Sequence, residues 1–121
     1  MVSRVYRRHW LPIFAGVVVL LPVVGCRPLP ASKNPALFTP EEARGARVFQ
    51  VDCARCHYPT TTRGLHGPGL QALTKEREMP SGAPPTDERI LATIQHGHGM
   101  MPAVPVADGD IDSLLAYLHT L

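Results

Sequence analysis

Two cysteines and a histidine lie within five residues, in the segment Cys53-Ala54-Arg55-Cys56-His57, and their spacing constrains this chain more than any other feature. On one helical turn these side chains stand at i, i+3 and i+4, so they project from the same side. C-x-x-C-H is the signature of c-type haem attachment. The segment therefore predicts that both thiols form thioethers with the haem vinyl groups, while the His57 imidazole reaches the iron.

Two other chemistries use similar residues. A thioredoxin-like pair of thiols also has C-x-x-C spacing, but it belongs in a βαβ context that this sequence lacks. A structural zinc site needs four ligands, and the usual second C-x-x-C is missing. The chain has 3 cysteines. Two thioethers would leave only Cys26, so no disulfide is expected.

The N-terminus predicts export. Basic residues precede an aliphatic run, which is the order of a secretory signal. The run ends in Val23-Val24-Gly25-Cys26, which resembles the lipobox of bacterial lipoproteins, where cleavage falls before a lipidated cysteine. We therefore expect residues 1–25 to be a lipoprotein signal peptide and Cys26 to anchor the mature protein to a membrane, facing the periplasm or cell exterior. An uncleaved membrane helix and plain secretion are the alternatives.

Residues 26–38 are expected to form a lipidated tether. The segment contains three prolines among small and polar residues and shows neither helical nor strand periodicity. A proline-rich chain extends by about 3.1 Å per residue, so this one could hold the domain roughly 30 to 40 Å from the bilayer.

Residues 39–121 predict one all-α domain. Thr39 and Glu42 have the spacing of a capping box for a helix over residues 40–53. A second helix is expected from about Thr86 to Gly97, and a third, with its apolar residues on one face, from about Asp108 to the end. A short helix over residues 70–78 is a weaker expectation. Because three helices joined by long loops form a poor core, a domain of this size needs a staple or a cofactor.

The order of these motifs resembles class I cytochrome c over residues 39–121. The match includes Gly67-Pro68-Gly69-Leu70 after the C-x-x-C-H segment and Met101-Pro102 before the closing helix. The resemblance implies the cytochrome c fold, three main helices with long loops wrapped around one covalently bound haem. It implies that the Pro68 carbonyl accepts a hydrogen bond from the His57 ring, and that Met101 is the second axial ligand of the iron.

The sequence offers other candidates for that axial position. Met100 neighbours Met101, and Met79-Pro80 is a second M-P pair, although it precedes the second helix. Any one of three other histidines, paired with His57, would instead give bis-histidine ligation: His66, His96 or His98.

The resemblance also gives Gly45 and Phe49 a structural role. It implies that they let the closing helix cross the first one closely, with Tyr117 as the partner.

Charge and cofactor together indicate the class of function. Loss of Arg4, Arg7 and Arg8 with the signal peptide would leave 9 of the 12 basic residues against 10 acidic ones. Nucleic acid is therefore not an expected partner. We expect an electron carrier, not an enzyme, that exchanges single electrons with a redox protein donor and acceptor of a respiratory or photosynthetic chain. The alternatives are a fixed haem subunit of a larger membrane oxidoreductase, and a haem enzyme or ligand sensor with a labile sixth position.

Overall fold

Three α-helices carry the fold: α1 (Pro40–Asp52), α2 (Asp87–His96) and α3 (Asp108–Leu118). They come from a computed structural model that describes residues 28–121, so the predicted signal peptide and Cys26 lie outside the described residues. Two 3-10 turns, Pro35–Leu37 and Leu73–Lys75, complete the regular structure, and residues 28–121 contain no strand. The expected all-α class is confirmed.

Helix α1 begins at the predicted capping box. The Glu42 backbone N–H donates to Thr39 Oγ1 over 3.1 Å, and the Thr39 backbone N–H donates to Glu42 Oε2 over 2.7 Å. Pro40 occupies the first helical position, where its missing N–H costs nothing. The helix ends at Asp52, with Cys53 as its C-cap. Sequence and structure therefore agree on α1 to within one residue.

Helix α2 also has local start and stop signals. Thr86 caps its N-terminus by accepting from the Arg89 backbone N–H, and Gly97 follows its last residue with a φ of +76°. The short helix expected over residues 70–78 is reduced to the 3-10 turn Leu73–Lys75. Ala72 precedes that turn in the left-handed region, with a φ of 60°, and this conformation cannot continue into an α-helix.

Helices α1 and α3 cross closely at Gly45. A Cβ at this position would overlap the Ser113 carbonyl oxygen and lie 2.8 Å from Tyr117 Cβ. Next to the crossing, the rings of Phe49 and Tyr117 pack with centroids 5.3 Å apart. The core around them is completed by apolar side chains from α2 and α3 and by the C-terminal residue: Ile90, Ile94, Leu114, Leu118 and Leu121.

From Pro30 onward, the segment predicted as a tether lies along the domain. Asn34 caps its 3-10 turn, Pro35–Leu37, by accepting from the Ala36 backbone N–H. Phe38 then packs edge-on against Tyr117, with ring centroids 5.8 Å apart. Within residues 28–121, no helix is both long and apolar enough to cross a bilayer.

Candidate haem-binding site

The C-x-x-C-H segment lies in a tight turn directly after α1. The Cys53 carbonyl accepts from the backbone N–H groups of Cys56 and His57, each over 3.0 Å. This turn follows the helix instead of belonging to it, but it still brings the three side chains to the wall of one cavity. Cys53 and Cys56 do not form a disulfide with each other. They therefore have the arrangement that two neighbouring thioether links to one group require.

The cavity beside this turn has a volume of about 690 Å³. That volume lies within the range of roughly 300 to 1,000 Å³ typical of small-molecule and cofactor sites. All three helices contribute apolar side chains to its walls: Phe49, Ile90, Ile94, Leu114 and Leu118. A flat, mostly apolar macrocycle attached to the two cysteines fits these walls, because they offer it hydrophobic contacts. A polar group buried in the same place would lose its hydration.

A hydrogen bond to the Pro68 carbonyl fixes the orientation of the His57 ring. His57 Nδ1 lies 2.8 Å from the Pro68 carbonyl oxygen. A carbonyl oxygen can only accept, so Nδ1 carries the proton and Nε2 keeps the lone pair that a metal would bind. This is the hydrogen bond that the resemblance implies for Pro68.

Gly67 lets the loop approach the imidazole closely. A Cβ at Gly67 would overlap His57 Cε1 and lie 2.9 Å from each ring nitrogen. The loop is tied to the cysteine turn as well, since the Gly67 backbone N–H donates to the Cys56 carbonyl over 2.8 Å. Any side chain larger than hydrogen at this position would push the ring away from its partner.

Met101 reaches the same cavity from the loop between α2 and α3. It exchanges two backbone hydrogen bonds of 3.0 Å with His98, which close a tight turn through Gly99 at a φ of 60°. Met101 is half-buried and packs against the core. Met100, at the tip of this turn, is 92% exposed. The turn therefore directs two adjacent methionines differently.

The structure brings most of the candidate residues together. Cys53, Cys56, His57, Pro68 and Met101 all line the cavity, as do Met79, Met100, His66 and His98. His96 does not line it, and its Nδ1 pairs with the Ala92 carbonyl one turn earlier in α2. Glu76 and Glu78 are the carboxylates in the cavity wall, and they could not be predicted from the sequence because nothing periodic in their loop marks them.

The environment of Cys53 differs from that of a redox-active thiol. Burial raises its pKa to about 11, and the charges of Asp52 and Cys56 act in the same direction. Nucleophilic cysteines of the thioredoxin type have lowered pKa values, since the thiolate is the reactive form. The raised pKa therefore makes Cys53 a poor attacking thiol for disulfide exchange.

Comparisons with known proteins agree with this geometry. Residues 40–118 match the protein-family model described as "Cytochrome C oxidase, cbb3-type, subunit III". The chain is also similar to cytochrome c6 of Leptolyngbya boryana, with 31% identity over 80 residues that cover 64% of this chain and 89% of that protein. The family implies a covalently attached haem c, and the C-x-x-C-H segment lies inside the matched region. The chain therefore belongs to the monohaem c-type cytochromes, which carry electrons and do not catalyse a reaction of their own.

Proposed function

We propose that this cytochrome is tethered to a membrane through Cys26 and carries single electrons between redox partners of a respiratory or photosynthetic chain, with His57 and Met101 as the axial ligands of its iron. The observation that carries the proposal is that these two side chains line one apolar cavity, and the His57 ring is held in the tautomer that leaves Nε2 free.

Two protein ligands suit electron transfer. Haem supplies an iron that gains and loses one electron. With His57 and Met101 both bound, the protein fills both axial positions, so substrate and oxygen have no ready point of attachment. Because neither ligand has to leave during the redox cycle, little reorganisation accompanies each transfer.

The residues around the site favour the reduced state. A methionine thioether is a soft ligand that raises the reduction potential relative to a second histidine. The apolar walls act in the same direction, because the oxidised centre carries the extra positive charge and is less well solvated there. The hydrogen bond from His57 to Pro68 opposes them, since it raises the basicity of the imidazole. The carboxylates of Glu76 and Glu78 in the cavity wall oppose them too, because negative charge stabilises the oxidised centre.

A fixed subunit of a membrane oxidoreductase is the second candidate. The printed description of the matching family names a subunit of an oxidase, and that observation favours this reading. The close packing of residues 30–38 on the domain favours it too, because it shortens the reach of the tether.

The tethered-carrier proposal is tested with the full chain expressed in a bacterial host that attaches haem. We expect the protein in the membrane fraction, a redox titration with one electron per haem, and no rapid binding of carbon monoxide. The mature chain should begin at Cys26 and carry the added mass of a diacylglyceryl group, which an intact-mass measurement checks, and Cys26→Ala should lack that added mass without a change in its spectrum. Rapid carbon monoxide binding would contradict the proposed ligands, and a mature chain without the added mass of the lipid would contradict the lipid anchor.

The two candidates differ in how the protein purifies. A carrier should purify from mild detergent extracts without partner proteins, because redox contacts of this kind are small and short-lived. Stoichiometric partners that persist through purification would favour the fixed subunit.

A further inference from the structure

Residues 30–38 lie outside the region matched by the family model, which begins at residue 40, yet they are fixed to the domain. The Lys33 backbone N–H donates to the Thr120 carbonyl over 2.7 Å, and the Gln71 side chain donates to the Pro30 carbonyl over 3.0 Å. The Lys33 ammonium also contacts both carboxylate oxygens of Glu42, at 2.7 and 2.8 Å. We call residues 30–38 the strap.

Apolar contact adds to these polar ones at the end of the strap. Phe38 is half-buried and packs against the core cluster through Tyr117. The strap is therefore held along its length: at Pro30 by one hydrogen bond, at Lys33 by a backbone bond and an ion pair, and at Phe38 by an aromatic contact. A free spacer would make none of these contacts.

The start of the strap lies beside the haem cavity. Gln71, which holds the Pro30 carbonyl, is one of the residues that line the cavity. Leu29, the next residue toward the N-terminus, leaves a large apolar side chain 40% exposed. The N-terminal chain thus approaches the domain from the side of the cavity wall.

We propose that the strap holds this side of the domain against the bilayer surface, so that the haem cavity faces the membrane within a short distance of it. The inference rests on the proposed lipidation of Cys26. Three residues separate Cys26 from Pro30, and the four steps from one Cα to the next span at most about 14 Å when fully extended. The bilayer is therefore the surface nearest the cavity wall at Gln71, and the 30 to 40 Å of freedom expected for an undocked tether is not available.

The test uses a spin label on a single added cysteine in the full lipidated holoprotein. Haem occupies Cys53 and Cys56 and the lipid occupies Cys26, so the added cysteine is the only free thiol. One label site is Thr74→Cys, three residues beyond Gln71. The other is Gly109→Cys, where an added Cβ meets nothing within 4 Å. Gly109 lies at the start of α3, nine residues before the helix ends at Leu118, which is about 14 Å at the rise of an α-helix.

The readout is relaxation of each label by nickel chelated to lipid headgroups in phosphatidylcholine vesicles. We expect severalfold stronger relaxation at Thr74→Cys than at Gly109→Cys. Lys33→Ala with Phe38→Ala should release the strap and make the two sites similar. Leu37→Ala is the matched control, because Leu37 belongs to the strap but is 68% exposed, and it should keep the difference.

The outcomes separate the inference from the proposed function. Equal relaxation at both sites in vesicle-bound protein with an intact strap would overturn the inference and leave the lipid anchor standing. Failure to bind vesicles at all would overturn both. If the double variant loses its normal visible spectrum, Lys33→Ala alone replaces it, since it removes the ion pair and leaves the core intact. Relaxation ratios that are the same for Lys33→Ala and Leu37→Ala would then count against the strap.

Discussion

At the level of single residues, the cavity presents more than one sulfur to the iron. Met79, Met100 and Met101 all line it, but they differ in how they are held. Met101 is half-buried in a turn closed by two backbone hydrogen bonds, and Met100 is almost fully exposed. A ligand that is already ordered loses less conformational entropy when it binds, which favours Met101 over its neighbour.

Replacing Met101 is expected to change the ligand field, whereas replacing Met79 is not. Met101→Leu should abolish the weak far-red absorption band that ferric haem shows with a sulfur ligand, and it should lower the reduction potential. Met79→Leu should retain both properties. Visible spectroscopy and a redox titration of each variant check this, and loss of the band in Met79→Leu alone would assign the sulfur to the other loop.

The sequence was informative about His57 and less so about its sulfur partner. Cys53, Cys56 and His57 lie within five residues, so covalent geometry limits how they can be placed. The proposed sixth ligand, Met101, lies in a loop more than forty residues later, where its position depends on how α2 ends at Gly97 and how the turn at His98 closes. Spacing alone cannot supply that information, and only the resemblance pointed to Met101.

At the level of elements, the crossing of α1 and α3 depends on the absence of a side chain at Gly45. Gly45→Ala gains helix propensity, but its methyl group would overlap the Ser113 carbonyl. Forcing a helix pair apart in a packed core typically costs about 1 to 3 kcal/mol.

We therefore expect Gly45→Ala to lower the free energy of unfolding by about that amount, measured by urea denaturation of the holoprotein. Gly109→Ala is the matched control on α3, because nothing lies within 4 Å of its added Cβ. It should raise stability by up to about 1 kcal/mol through helix propensity. If Gly45→Ala left the free energy of unfolding unchanged, the two helices would be able to separate without loss of stability.

The strap also affects the stability of the protein, through the charge of Glu42. The hydrogen bonds from Lys33 and from the Thr39 backbone lower the Glu42 pKa below its ordinary value of 4.5. A lowered pKa in the folded state stabilises the protein above pH 4.5, and this contribution is lost as the pH falls through the folded-state value.

Glu42→Gln should therefore destabilise the protein near neutral pH, and the difference from the parent should shrink well below pH 4.5. The glutamine side chain can still accept from the Thr39 backbone N–H, so the variant isolates the loss of charge. Urea denaturation across this pH range measures the effect. Glu41→Gln, at an exposed carboxylate of the same helical turn outside the Lys33 ion pair, is the matched control, and equal destabilisation by the two variants would contradict the role of Lys33.

Elements with local start and stop signals were predictable from sequence. The capping residues Thr39 and Thr86 and the terminal Gly97 mark α1 and α2 in the sequence. The 3-10 turn at Leu73–Lys75 was not predictable, since an alanine in the left-handed region has no sequence signal. The strap was not predictable either, because its prolines remove periodicity and its stability comes from contacts with residues far along the chain.

At the level of the whole molecule, net charge is small and local charge decides the field at the cavity. Residues 26–121 carry 9 basic and 10 acidic side chains, so the overall field is weak. Glu76 and Glu78 line the cavity, and no lysine or arginine does so in residues 28–121. The propionates of bound haem add further negative charge there.

A small cationic cobalt complex should therefore oxidise the reduced protein increasingly slowly as salt is added, whereas an anionic iron complex should react faster. At low ionic strength, electrostatic attraction of this kind can change association rates by about tenfold or more. Glu76→Gln with Glu78→Gln should weaken both trends. Asp112→Asn, an exposed carboxylate of α3 outside the cavity wall, should leave them nearly unchanged, and stopped-flow rates at several salt concentrations compare the variants.

The attachment of haem by Cys53, Cys56 and His57 underlies the whole account, and intact mass measured together with the visible spectrum tests it most directly. In cells that attach haem, the mature protein should be coloured, and its mass should exceed that of the polypeptide by one haem even after denaturation. Cys53→Ser with Cys56→Ser should remove that added mass. A colourless parent chain without it, made in cells that mature another c-type cytochrome normally, would contradict the account.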